Sequence, residues 1–273
     1  MTDYKDLGTP VLDDHLHLDP DHGRGLAAVE DFRRLGGTHL LVVNKPSWHL
    51  GVEVETGAEF DAVFERTVTI VKRANQLLPG LAWPVLGVHP GLVSRLVDER
   101  GYSPTDAADL MCAGLERAAG YVAEGRAVAL KSGRPHYDVA DTVWEASNRV
   151  LRHALSLGAR EDCAVQLHTE ASEDLTEIAG WAEERGLDPS RVVKHYAGER
   201  LDGPTPSVMA RKEWLHAHAE RGDRFLIAVT GPRTVPRRTR WLLEDGHDEA
   251  VRNAHVETPR AVYGVDTVAT LDG

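Results

Sequence analysis

The chain has 273 residues, 42% hydrophobic and 27% charged, and 43 acidic against 31 basic side chains give a formal net charge of −12. This is the composition of a soluble globular protein with a sizeable core; it excludes a membrane span, because no run of about eighteen apolar residues occurs, and argues against a fold-wide attraction to polyanions. Two cysteines, Cys112 and Cys163, are too few for a disulfide framework, and the polar residues 1–7 do not resemble a secretory signal, so a cytoplasmic protein with no obligate protein partner is expected.

Short apolar, β-branched runs recur along the chain, each followed by a helical pattern. The first run, 10–14, is followed by a helix at 25–34 that Gly36-Gly37 stops. The second run is 38–43, followed by a long loop at 46–58 and a helix at 60–78. The third is 82–88. A helix at 103–124 then opens on Ser103 with Pro104 at its first position and ends at Gly125. The fourth run is 127–131, with a helix at 138–157; the fifth is 163–168, with a helix at 171–185; the sixth is 191–195. A loop at 198–206 and a helix at 207–221 lead to the seventh run, 225–230. A helix at 234–255 leads to the eighth, 261–266. Near-continuous apolar strands alternating with helices predict an α/β fold, a (β/α)8 TIM-type barrel formed by one domain over residues 1–273. An open doubly wound sheet is the alternative, but the glycine-rich phosphate loop it carries after its first strand is absent.

In such a barrel the C-terminal ends of the strands line the active site. The polar residues ending the predicted strands are His15 and His17, Asn44 and Lys45, His89, Lys131, His168, His195, Thr230 and Asp266. In His15-Leu16-His17, alternate residues of a strand face the same way, so two imidazoles can meet one metal ion. His216-Ala217-His218 has the same spacing in a predicted helix, where the rings lie about 200° apart and cannot chelate together. With only six lysines in the chain, Lys131 stands out in its apolar run.

These motifs resemble the TatD-type hydrolases of the amidohydrolase superfamily. The family's Asp-x-His-x-His is matched by Asp13-Asp14-His15-Leu16-His17, and its Gly-x-His-Pro by Gly87-Val88-His89-Pro90. His168, His195 and Asp266 take the places of its ligands on strands five, six and eight. One position departs: TatD-type enzymes end strand four with a glutamate that bridges two metals, where this chain has Lys131. The phosphotriesterase branch of the superfamily has a carbamylated lysine there. The resemblance therefore implies two divalent metal ions, zinc foremost, with manganese, nickel, cobalt or iron as alternatives. Their ligands would be His15, His17, Lys131 as its carbon dioxide adduct, His168, His195 and Asp266.

On this reading a metal-bound hydroxide attacks an ester: a phosphodiester or other phosphoester, or a carboxylic ester, lactone or amide. Asp266 orients it as the catalytic base. His89, His136 and Tyr137 are the substrate-binding candidates, and the substrate is a small molecule or derived from nucleic acid. The alternatives are a mononuclear deaminase with Glu170 as its acid, a cationic Lys131 in place of one metal, or a non-catalytic metal-binding barrel.

Overall fold

The computed structural model describes residues 6–228, 231 and 233–271. Eight parallel strands lie side by side in chain order: β1 (Leu12–Leu16), β2 (His39–Val43), β3 (Ala82–Gly87), β4 (Ala129–Gly133), β5 (Ala164–His168), β6 (Val192–Ala197), β7 (Thr205–Met209) and β8 (Leu226–Ala228). β8 returns alongside β1, so the sheet curls into the predicted (β/α)8 barrel. Around it run α1 (Leu26–Arg34), α2 (Asp61–Ala74), the short α3 (Leu92–Ser94), α4 (Pro104–Ala123), α5 (Asp141–Arg160), α6 (Thr176–Glu183), α7 (Lys212–Arg221), α8 (Thr234–Glu244), α9 (Asp248–Arg252) and α10 (Thr258–Tyr263).

The strands are apolar on both faces because both are covered. Leu12, Leu41, Val43, Val85, Ala129, Ala164, Val193 and Leu226 fill the barrel interior. Their neighbours Leu86, Leu130, Val165 and Leu167 pack outward against helix residues such as Leu115, Val150 and Leu151. α4 starts as its sequence predicts: Ser103 Oγ accepts the Asp106 amide at 3.1 Å, with Pro104 next in line.

Two predictions about the C-terminal third are corrected. Residues 205–209, read as loop and helix start, form β7. Thr205-Pro206-Ser207 carries no apolar run, and the strand exists because β6 and β8 pair with it on either side. Residues 261–266, read as the eighth strand, end a helix instead. Pro259 sits in the first turn of α10, and Gly264 closes it in the left-handed conformation at φ +71°. The predicted seventh run is thus β8, and the helix expected at 234–255 is broken after Glu244, with Gly246 at φ +85°.

α10 forms the floor of the barrel. Val262, Tyr263 and Val265 pack under the inward residues of the strands, and the Tyr263 hydroxyl reaches up to Asp14 Oδ1 at 2.7 Å. Asp266 therefore lies beyond the floor, at the N-terminal ends of the strands. Thr270, bonded to the Asp266 carbonyl, also meets His39 Nε2 at the start of β2 at 2.8 Å.

Candidate active site

At the opposite, C-terminal mouth, a cavity of about 400 Å³ is lined by His15, Leu16, His17, Lys45, Pro46, His49, His89, Lys131, His168, His195 and Tyr196. Five of the six predicted ligands, His15, His17, Lys131, His168 and His195, are brought together there; the sixth, Asp266, is not. Its carboxylate is 41% exposed, ion-paired to Arg260 at 2.6 Å, and accepts the amides of Val268 and Ala269. A base or ligand role for Asp266 fails because its segment turned out to be a helix and its closing turn. Thr230, which ended the predicted seventh run, lies outside the described residues.

Irregular strand pairing aims the imidazoles. The register of β1 against β2 shifts between Asp13 and Leu16, and the consecutive residues Asp14 and His15 both reach Gln166 on β5 inside the barrel. The register of β6 against β7 shifts between His195 and Ala197, where Tyr196 takes a left-handed φ of +59°, a strained conformation of the kind found at functional sites. The His15 and His195 rings stack with centroids 3.5 Å apart, and the His168 centroid lies 6.4 Å from that of His195.

Hydrogen bonds set the tautomers. His15 Nδ1–H donates to Gln166 Oε1 at 2.9 Å, because the Gln166 amide nitrogen is committed to the Asp14 carbonyl and the Tyr263 hydroxyl. His17 Nδ1–H donates to the Val43 carbonyl at 2.8 Å. Each ring therefore presents the lone pair of Nε2, the arrangement metal-binding histidines use. His195 Nδ1 is buried without a hydrogen-bond partner. The His168 Nε2 meets His136 Nδ1 at 3.2 Å.

Burial also fixes the protonation states. Desolvation, aided by neighbouring cationic groups, pushes His17 and His168 down to about 3 and His15 and His195 well below the usual imidazole range. Desolvation lowers the Lys131 amine to about 7. Four neutral imidazoles and an amine that titrates near neutrality form a donor set that suits divalent transition metals. Among the described residues no carboxylate lines the cavity.

The other candidates separate. His89 lines the cavity, and its Nδ1 accepts the Gly91 amide at 3.1 Å. His136 stands at the rim beside His168. Tyr137 is 43% exposed and its hydroxyl donates to Ser94 at 2.9 Å, so it borders the mouth without lining it. Asn44 is spent on the Gly87 amide and carbonyl, at 2.8 and 3.0 Å, tying β2 to β3. Lys45 does line the cavity, paired with Asp19. Arg233, exposed at the N-terminal end of α8, lies 3.9 Å from Asp31 and does not line the cavity. Glu170, the acid a deaminase would need, is held by the buried Arg134, whose Nε lies 3.1 and 2.9 Å from its two oxygens. His49 and Tyr196 were missed. His49 sits in a short 3-10 helix at 47–50, inside the segment expected to be loop, and Tyr196 follows a ligand candidate, so neither carries a sequence signal.

Together the fold and this mouth define a (β/α)8 barrel with a histidine-rich pocket at the C-terminal ends of its strands. The chain belongs to the TatD-related DNase family, a family of hydrolases, whose sequence model matches residues 12–240. An uncharacterized protein of Methanocaldococcus jannaschii is 32% identical over 281 residues, covering 94% of this chain and 96% of that protein. Among solved structures, the TatD-like protein from Archaeoglobus fulgidus is similar with a TM-score of 0.61 and 18% identity, over 93% of this chain and all of that one. The phosphotriesterase homology protein of Escherichia coli, solved with phosphate in its active site, has a TM-score of 0.55 and 13% identity over 93% and 99% of the two chains. A lactonase from Listeria monocytogenes has a TM-score of 0.57 and 13% identity over 93% and 94%. At these identities the structures show the shared fold.

Proposed function

We propose that this chain is a metal-dependent esterase-type hydrolase of the amidohydrolase superfamily, cleaving a phosphoester, carboxylic ester or lactone, with two divalent metal ions held by His15, His17, Lys131, His168 and His195. The observation that carries the reading is the convergence of four neutral imidazoles, two with Nδ1 already committed, on one buried lysine. Bound there, zinc or a similar ion would supply Lewis acidity and lower the pKa of a water molecule.

Lys131 supplies the missing negative charge. Four imidazoles bring none, and no described carboxylate lines the cavity, so two divalent ions would leave the pocket strongly cationic. A neutral Nζ can add to the carbon of carbon dioxide and lose a proton, leaving a carbamate that would bring a negative charge to the metal ions it would help to hold. The depressed pKa of Lys131 keeps enough neutral amine near pH 7 for that addition. The A. fulgidus, E. coli and L. monocytogenes neighbours share the barrel fold.

His89 acts on the substrate. Its Nδ1 accepts the Gly91 amide, so its proton resides on Nε2, and burial holds the ring neutral, down to about 2. It is thus a donor to a substrate oxygen rather than a base. Lys45 and His136 border the same space and would contact the leaving group or an anionic arm. The free thiols of Cys112 and Cys163 suit the reducing cytoplasm, and among the described residues no helix is long and apolar enough to cross a membrane.

Elemental analysis of protein purified without chelator and with bicarbonate is the test. About two metals per chain that disappear in Lys131→Ala, whatever else the chain holds, together with hydrolysis of p-nitrophenyl phosphodiesters and lactones, supports the reading. A metal content indifferent to bicarbonate and to Lys131→Ala rejects the carbamate bridge.

A further inference from the structure

A second group of metal-type donors lies on the outer helical ring, away from the barrel mouth. His216 and Glu220 are four residues apart on α7 and so share one face of it. His247, in the turn that follows α8, brings Nε2 to 3.2 Å from His216 Nδ1 and 3.8 Å from Glu220 Oε1. Asp245, in the same turn, places Oδ2 at 3.5 Å from His247 Nε2 and 3.7 Å from His216 Nδ1. From this convergence we infer a structural site for a divalent cation of the zinc type, clipping α7 to the turn between α8 and α9.

The geometry and the chemistry agree. Tetrahedral zinc with ligands at about 2.1 Å has ligand–ligand edges of about 3.4 Å, and the separations of His247 from His216 and from Glu220, 3.2 and 3.8 Å, lie on either side of that length. Two ring nitrogens facing each other at 3.2 Å need either a shared proton or a cation between them. Two imidazoles and two carboxylates form a borderline nitrogen–oxygen set that suits zinc, and the carboxylates neutralise a divalent charge. The site is anchored on one side, since the His247 side chain is only 14% exposed, and open on the other, so an ion reaches it from solvent. His216, Glu220 and His247 have ligand atoms within 4.8 Å of one another, and Asp245, turned in beside them, would fill the fourth position, which makes the role structural rather than catalytic. His218, the other member of the His216-Ala217-His218 pair, points away into the core, bonding Asp223 at 2.9 Å and the Gly198 carbonyl at 3.1 Å, as the helical angle between the two requires.

The site stands apart from the barrel pocket and can be tested apart from it. Equilibrium dialysis against Zn²⁺ would compare the full chain with the double variant His216→Ala/His247→Ala. The expected result is one zinc fewer per chain in the variant, with ester hydrolysis at the barrel mouth unchanged. The melting temperature of the full chain should rise with zinc above that of the variant, the difference vanishing in chelator. Should the double variant fold poorly, Glu220→Gln/Asp245→Asn keeps both rings and the helix shape, and its zinc affinity at this site should fall at least tenfold. Equal zinc stoichiometry and an equal zinc response in the full chain and the variants would overturn the inference and leave a proton-sharing histidine pair.

Discussion

Lys131 and Asp14 face opposite costs of burial inside the same barrel. Lys131 lies on β4 among the pocket imidazoles, and its amine is lowered to about 7 by desolvation. Replacing it by Glu supplies a carboxylate that needs no carbon dioxide. Lys131→Glu should therefore bind metal and turn over without bicarbonate, whereas Lys131→Ala should lose at least a hundredfold in activity, partly restored by a short carboxylic acid; kinetics with and without bicarbonate read both. Asp266→Asn, by contrast, should leave activity within twofold of the parent, because Asp266 caps a turn at the far face. Asp14 is raised to about 6 by burial, with the Ser207 and Tyr263 hydroxyls opposing the shift. A carboxyl raised above its unfolded value adds stability below pH 3.8 and loses it as pH climbs through 6. At neutral pH the buried charge costs roughly 3 kcal/mol, taking about 1.4 kcal/mol per pKa unit. Asn at position 14 keeps an acceptor for the Tyr263 hydroxyl. Metal-free Asp14→Asn should melt higher than the parent at pH 8, with the gain shrinking toward pH 4; an unchanged melting temperature at pH 8 would contradict the cost assigned to this charge.

At the scale of the element, the site depends on strand ends that tolerate no side chain where two strands meet closely. Gly133 closes β4 at φ +150°, and a Cβ there would come within 1.9 Å of the His168 carbonyl. Gly133→Ala must push β5 away from β4 and displace His168, so metal affinity should fall by an order of magnitude or more even where the protein still folds; metal titration with circular dichroism as the folding control distinguishes the two. α10 acts on the site from below: its Tyr263 hydroxyl holds Asp14, which shares Gln166 with His15. Tyr263→Phe removes the hydroxyl from a fully buried network and should cost about 1–3 kcal/mol in denaturant unfolding.

For the whole molecule, the histidines decide the response to acid. Besides the six in the pocket, His39 is held down to about 4 and His255 to about 3 by burial. His39 stacks on Trp83, and His255 is bonded to the Leu12 amide and Thr239. All stay neutral in the fold, while the unfolded chain protonates them below about 6.5. Their contribution is present above 6.5 and is lost as pH falls toward 4, at up to about 1.4 kcal/mol per pH unit for each. Chelator-treated protein should unfold steeply between pH 6 and 4, and its melting temperature should go on rising from pH 7 to 8, where Lys131 is neutral in the fold and protonated in the unfolded chain. Bound metal, which requires the neutral rings, should move that transition to lower pH.

The barrel was legible because strands buried on both faces read as apolar runs, and because residues ending such strands are fixed by the alternation of the pleat. His15, His17, His89, Lys131, His168 and His195 could be placed from those two rules alone. Asp266 could not. A strand is chosen by its neighbours as much as by its own residues, so Thr205-Pro206-Ser207 became β7 between β6 and β8 despite its polarity. The apolar 261–266 segment folded as α10 and its closing turn once Pro259 and Gly264 bounded the helix. Nor could local sequence reveal that Gln166 and Val43 orient the imidazoles, that a register shift turns Asp14 and His15 to the same side, or that His216 meets His247. Each of these joins residues more than twenty positions apart or depends on how two strands register, and pairing across the barrel is settled only when the chain closes on itself.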